Sequence, residues 1–71
     1  MTADRWDALT DRQREVAELV AKGYGDKVIA ARLGISPRRV RQCITRIAVL
    51  WRLDAERNYR TQITDLLARV A

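Results

Sequence analysis

Histidine is absent from this sequence, and cysteine and proline occur once each in 71 residues. Without histidine, the commonest general base and the commonest metal ligand are missing. A single cysteine permits no disulfide within the chain and no cysteine-based metal cluster. Long apolar runs are missing too. Nothing approaches the ~18 residues that a membrane span requires, and the polar N-terminus is not that of a signal peptide. Alternation of apolar and polar residues is never sustained, and β-branched residues are scattered, so strands are not expected. Repeats, linkers and low-complexity stretches are likewise lacking. A chain this short makes one domain, spanning 1–71, with little room for an enclosed active site. No catalytic residue, metal site or cofactor is expected, no membrane partner is expected, and the cytoplasm is the expected location.

What the sequence does contain is apolar material and positive charge. The hydrophobic fraction of 48% suffices for a compact core and exceeds what a disordered chain carries. The formal charge is +5, and its distribution says more than its total. Residues 1–35 are close to balanced, whereas Ser36 to Arg52 holds five arginines and no acid. A local block of fixed positive charge on a folded domain is the footprint of a polyanionic partner. An anionic membrane surface is a weaker match, because the apolar face of the same segment is needed for the core.

Helix signals are clear. Thr10 with Gln13 forms a capping box, and Leu9 stands where a hydrophobic staple would. Val16, Leu19 and Val20 then recur at helical spacing until Lys22-Gly23, which supplies a basic last turn and a terminating glycine. These predict a helix over 11–22. Asp26 is the expected N-cap of a short helix over 27–33, with Val28, Ile29 and Leu33 facing inward and Gly34 ending it. Ser36 at N-cap and Pro37 at N1 restart a helix at once, predicted over 37–52. A short helix, a glycine-containing turn and a longer helix make the helix-turn-helix pattern. A last helix is expected over 55–70, capped by Asp54.

The helix over 37–52 divides by face. At about 100° per residue, Val40, Ile44, Ile47 and Trp51 fall on one side, with Cys43 and Leu50 at the edge. Arg38, Arg41, Gln42, Thr45 and Arg52 fall on the other, and Arg39 and Arg46 lie on one flank. Arginine can bond guanine O6 and N7, glutamine can pair with adenine, and threonine can bond a base edge or touch a thymine methyl. The flanking arginines suit phosphates, which set register rather than sequence.

Ala55, Tyr59, Ile63, Leu66 and Val70 form the apolar stripe of the last predicted helix, with Leu67 beside it. Sixteen or so residues at ~1.5 Å each would span ~24 Å, longer than three short helices cover. A second copy is the simplest cover, so Tyr59, Ile63, Leu66, Leu67 and Val70 are the expected dimer interface; the alternative is that this helix folds fully back on its own core. Trp6 is expected to fold over the core as a lid, and Cys43 to behave as a small hydrophobe.

Taken together, these residues resemble the LuxR-type (GerE-like) helix-turn-helix domain of bacterial transcription regulators. The likeness starts at Leu9-Thr10 with Arg12, Glu15 and Val16, where that family opens L-T-x-R-E-x-E-V. It continues through Gly23, Lys27, Ile29, Ala30, Leu33, Ile35-Ser36, Val40, Arg41, Ile44 and Ile47. The family usually has Ser-Asn where Gly25-Asp26 stand, and Arg39 and Cys43 replace a threonine and a histidine common in it. The resemblance implies a free-standing, all-α, four-helix domain that puts its third helix into the major groove and dimerises through its fourth. It carries base reading to Arg41, Gln42 and Thr45, beside which Arg38 shares the outward face. It carries backbone contact to Lys27, which joins Ser36, Arg39, Arg46 and Arg52 as phosphate candidates. The expected function is a homodimeric, sequence-specific regulator of transcription bound to double-stranded DNA. Two alternatives stay open. One is an interaction module that pairs with a larger LuxR-type regulator and blocks it. The other is a sigma-factor-like promoter-binding domain, for which RNA polymerase would be a partner.

Overall fold

Thr10 opens the first long helix as its residue type predicts. Its Oγ accepts from the Gln13 amide at 3.2 Å, while Gln13 Oε1 accepts from the Thr10 amide at 2.9 Å. In this computed structural model, which describes residues 3–70, five helices follow in order and no strand occurs among the described residues. They are α1 (Ala3–Asp7), α2 (Asp11–Ala21), α3 (Asp26–Leu33), α4 (Pro37–Leu50) and α5 (Tyr59–Val70). The all-α helix-turn-helix class expected from the sequence is the one observed, with α1 as an addition.

Three of the helices end in the same way. After α2, Gly23 takes φ +91°, its amide donates to Val20 O, and the Tyr24 amide donates to Leu19 O. After α3, Gly34 takes φ +68° and the Ile35 amide donates to Ala30 O. After α4 the left-handed position is filled by Arg52 at φ +54°, with its amide on Val49 O and the Leu53 amide on Ala48 O. Each is a Schellman turn, which satisfies the last carbonyls and reverses the chain. The third closes α4 at Leu50, so the predicted helix to residue 52 is two residues too long.

The last helix also differs from its expectation. Asp54 does not cap it. Its Oδ1 accepts from the Glu56 amide, and its amide and carbonyl are both taken by the Gln62 side chain, each at 2.9 Å. That buckle holds residues 54–58 as a loop, and Asn58 becomes the cap, its Oδ1 accepting from the Thr61 amide at 3.2 Å. The twelve residues left span ~18 Å and pack chiefly along α2. Ile63 is fully buried there, while Tyr59, Leu66 and Leu67 are partly buried on the same core. The length argument for a second copy rested on a longer helix. Ile63 in particular is consumed by its own chain and is closed to any partner. Val70, assigned to the same stripe, lies outside the residues whose side chains are described.

The core gathers Leu9, Val16, Ala17, Val20, Ile29, Ala30, Val40, Ile44, Ile47, Trp51 and Ile63. Two apolar residues placed inward by the sequence are not in it. Val28 is 45% exposed, because the buried face of α3 runs through Ile29, Ala30 and Leu33 and leaves Val28 nearly opposite. Leu50 is 44% exposed, because Ala48 and not Leu50 fills the edge of the α4 stripe. Asp26 is a further correction: it is the first residue of α3, with Gly25 at the cap position, and its carboxylate bonds Arg60 of α5 instead. Trp6 is half-buried as a lid on this core, with the Arg14 guanidinium 5.9 Å from its ring centroid. Arg14 also donates to Trp6 O and Asp7 O, and the Trp51 indole donates to Arg5 O at 2.8 Å, so α1 is tied to both α2 and the end of α4.

Candidate nucleic-acid interface

The turn between α3 and α4 fixes how α4 is presented. Gly34 supplies the left-handed residue, and Ser36 Oγ accepts from the Arg39 amide at 3.1 Å. The cap satisfies one amide of the first turn, and Pro37 has none to satisfy. Its buried stripe of Val40, Ile44, Ile47 and Trp51 grips the core, so the face opposite is delivered to solvent as a rigid unit.

That face forms an open concave surface lined by Arg38, Arg41, Gln42, Thr45, Arg46 and Val49. The four residues expected to read bases are therefore together. Arg46 joins them, although the sequence had put it on a flank. A second depression lies along one side of α4, lined by Arg12, Gly34, Ile35, Ser36, Arg39 and Cys43. It unites two phosphate candidates, Ser36 and Arg39, with a cation from α2. Arg12 is braced there by its bond to Leu33 O at 3.3 Å and by Glu15 at 3.6 Å. Sequence reasoning had not placed Arg12 at the site, because α2 meets α4 only in three dimensions. Its single clue was its place in the family-like opening of the chain.

A third depression runs along the other side, between α4 and the start of α5, and holds Asp26, Arg41, Ile44, Thr45, Asn58, Tyr59 and Arg60. Arg60 spans it, bonding the Asp26 carboxylate and the Tyr24 carbonyl, and so pins α5 to the turn before α3. Tyr59, expected at a dimer interface, lies beside Arg41 and Thr45 in this depression. Lys27 and Arg52 are exposed but line none of the three depressions.

The electrostatics of α4 are distinctive. Among the described residues, the ion pairs use Arg12, Arg14 and Arg60, and none uses an arginine of α4. Arg38, Arg39, Arg41 and Arg46 can thus meet phosphate or base oxygens without breaking an internal pair. Burial raises the Cys43 thiol above the ordinary cysteine range, and Arg12 and Arg39 pull it back only in part. A thiol so held is a weak nucleophile, which fits its expected part as a small hydrophobe. Among the described residues there is no group of three potential metal ligands, and no helix is long and apolar enough to cross a membrane.

Residues 7–49 match the family described as bacterial regulatory proteins, luxR family. The chain is 52% identical over 40 residues to the transcriptional regulatory protein UhpA of Salmonella typhimurium, covering 56% of this chain and 20% of UhpA. The UhpA of Escherichia coli is 50% identical over the same length and coverage. The putative HTH-type transcriptional regulator Rv0890c of Mycobacterium tuberculosis is 38% identical over 64 residues, covering 90% of this chain and 7% of that protein. The chain thus spans a fifth or less of the curated relatives it matches. No solved structure matches it significantly.

Proposed function

Because the chain belongs to the luxR family of bacterial regulatory proteins, we propose that it binds double-stranded DNA sequence-specifically and regulates transcription in the bacterial cytoplasm. One observation carries this reading. The face of α4 turned away from the core is acid-free, and its arginines are unpaired among the described residues. A helix laid in the major groove presents such a face to base edges. Arg38, Arg41, Gln42 and Thr45 read bases. Arg39, Arg46, Arg52, Lys27 and the unused hydroxyl proton of Ser36 meet phosphates, and Arg12 adds a contact from α2. A module that only blocked another regulator would have no use for this face.

We propose further that the chain acts as a homodimer. We place its interface at the part of α5 left open by Leu66 and Leu67, in a two-fold arrangement on half-sites about one helical turn apart.

Selection from random duplexes at several salt concentrations tests the reading. The expected result is an imperfect palindrome, bound with an affinity that falls steeply with salt. Arg41→Ala should cost about 1–3 kcal/mol on the selected site and relax one base pair. An equal loss on every sequence would reassign Arg41 to phosphate. Weak binding without any motif at low salt would remove DNA as the target.

A further inference from the structure

The reading face of α4 contains one residue with no polar group. Val49 is 64% exposed, the most open of the large exposed hydrophobic side chains among the described residues. It lines the same concave surface as Arg38, Arg41, Gln42, Thr45 and Arg46. The buried stripe of α4 steps through Val40, Ile44, Ile47 and Trp51. Moving each position back by two residues, about 200° around the helix, gives Arg38, Gln42, Thr45 and Val49. Val49 therefore ends the reading line just as Trp51 ends the gripping line, and whatever covers Thr45 continues onto Val49.

Among the described residues, the other two exposed large hydrophobics, Val28 and Leu50, do not line this surface. On this surface Val49 is thus bordered by polar and cationic side chains. An occupant must be polyanionic around an apolar point. The major groove offers that combination at one place, the 5-methyl group of thymine.

Resting on the DNA-binding reading above, we propose that Val49 is a specificity-determining residue that seats its methyls on a thymine methyl. Along the helix axis it lies ~10 Å beyond Gln42, about two base-pair steps further for a helix laid in the major groove. Thr45 lies between the two.

Replacing each thymine of the selected duplex in turn by deoxyuridine removes only the methyl. The wild-type chain, Val49→Ala and Thr45→Ser are compared on every such duplex. One thymine is expected at which deoxyuridine weakens the wild type about four-fold, the scale of one buried methyl. Val49→Ala should bind the parent duplex about four-fold more weakly and lose its sensitivity at that thymine alone. Thr45→Ser should keep it. The proposal is overturned if the two-way comparison shows no thymine whose effect depends on residue 49. It is equally overturned if Val49→Ala weakens binding alike on all duplexes, scrambled ones included, which would mark a docking contact. A selection that yields no motif defeats the DNA reading itself and this inference with it. A clear motif with a response independent of Val49 defeats only the inference.

Discussion

Arg52 occupies a backbone position that favours glycine, and replacing it separates folding from binding. At φ +54° the Cβ of Arg52 crowds its own carbonyl, a cost of about 1–2 kcal/mol for an L-residue. Glycine removes that cost but carries more freedom in the unfolded chain, which returns about 0.5–1 kcal/mol. The Arg52 side chain is exposed and makes no ion pair among the described residues, so little else is lost. Arg52→Gly should then stabilise the domain by about 0.5–1 kcal/mol, raising the thermal midpoint by about 2–8 °C in a chain of this size. Far-ultraviolet circular dichroism during heating measures this. Arg52→Ala keeps the crowded Cβ and should leave the midpoint near that of the wild type. In DNA binding both variants remove one charge, and both should flatten the plot of log affinity against log salt by about 0.9 if Arg52 meets a phosphate. A lower midpoint for Arg52→Gly would refute the strain argument. An unchanged salt slope would remove Arg52 from the DNA contacts.

Other outcomes follow from the packing. Ile63→Ala deletes a fully buried side chain and should cost about 2–5 kcal/mol, a large part of the total stability of a small domain. Urea midpoints at several protein concentrations check this, and a loss that depends on concentration would return Ile63 to a subunit interface. Trp51→Phe removes the indole donor to Arg5 O and should cost about 0.5–1.5 kcal/mol for that bond, besides any loss of packing. Faster amide exchange in residues 5–9 is its signature. The raised Cys43 thiol should be alkylated more slowly in the folded than in the urea-unfolded chain at mildly alkaline pH. Its sign for stability also follows. The folded state holds the proton more tightly, so its contribution is intact below the unfolded thiol's range and fades as pH rises through the folded one. Melting midpoints of Cys43→Ser against wild type across that range would show it.

What could be read from the sequence were features that depend on neighbours along the chain. The Thr10–Gln13 box, the glycine ends at 23 and 34, the Ser36-Pro37 start and the two faces of α4 each rest on residues within one or two turns. Misplaced features depend on distant partners. Asp54 and Asp26 both look like caps in sequence, but Gln62 draws the first into a loop and Arg60 draws the second into an ion pair. Arg52 gives no sign that it takes a left-handed turn, since that conformation is enforced by the chain reversing after α4. That Arg38, Arg41, Gln42 and Thr45 share one surface was legible because one helix carries them all. Arg12 and Tyr59 were not, because other helices bring them beside α4 only in three dimensions.

The bond from the Trp51 indole to Arg5 O joins residues 46 positions apart, the farthest hydrogen-bonded pair involving a side chain among the described residues. It couples α1 to the last turn of α4. A ligand that steadies the end of α4 then also steadies α1, and anything that lifts α1 from Trp51 weakens that ligand by the same factor, since linkage is reciprocal. Loosening α1 is therefore expected to loosen the last turn of α4, where Val49 and Leu50 stand exposed.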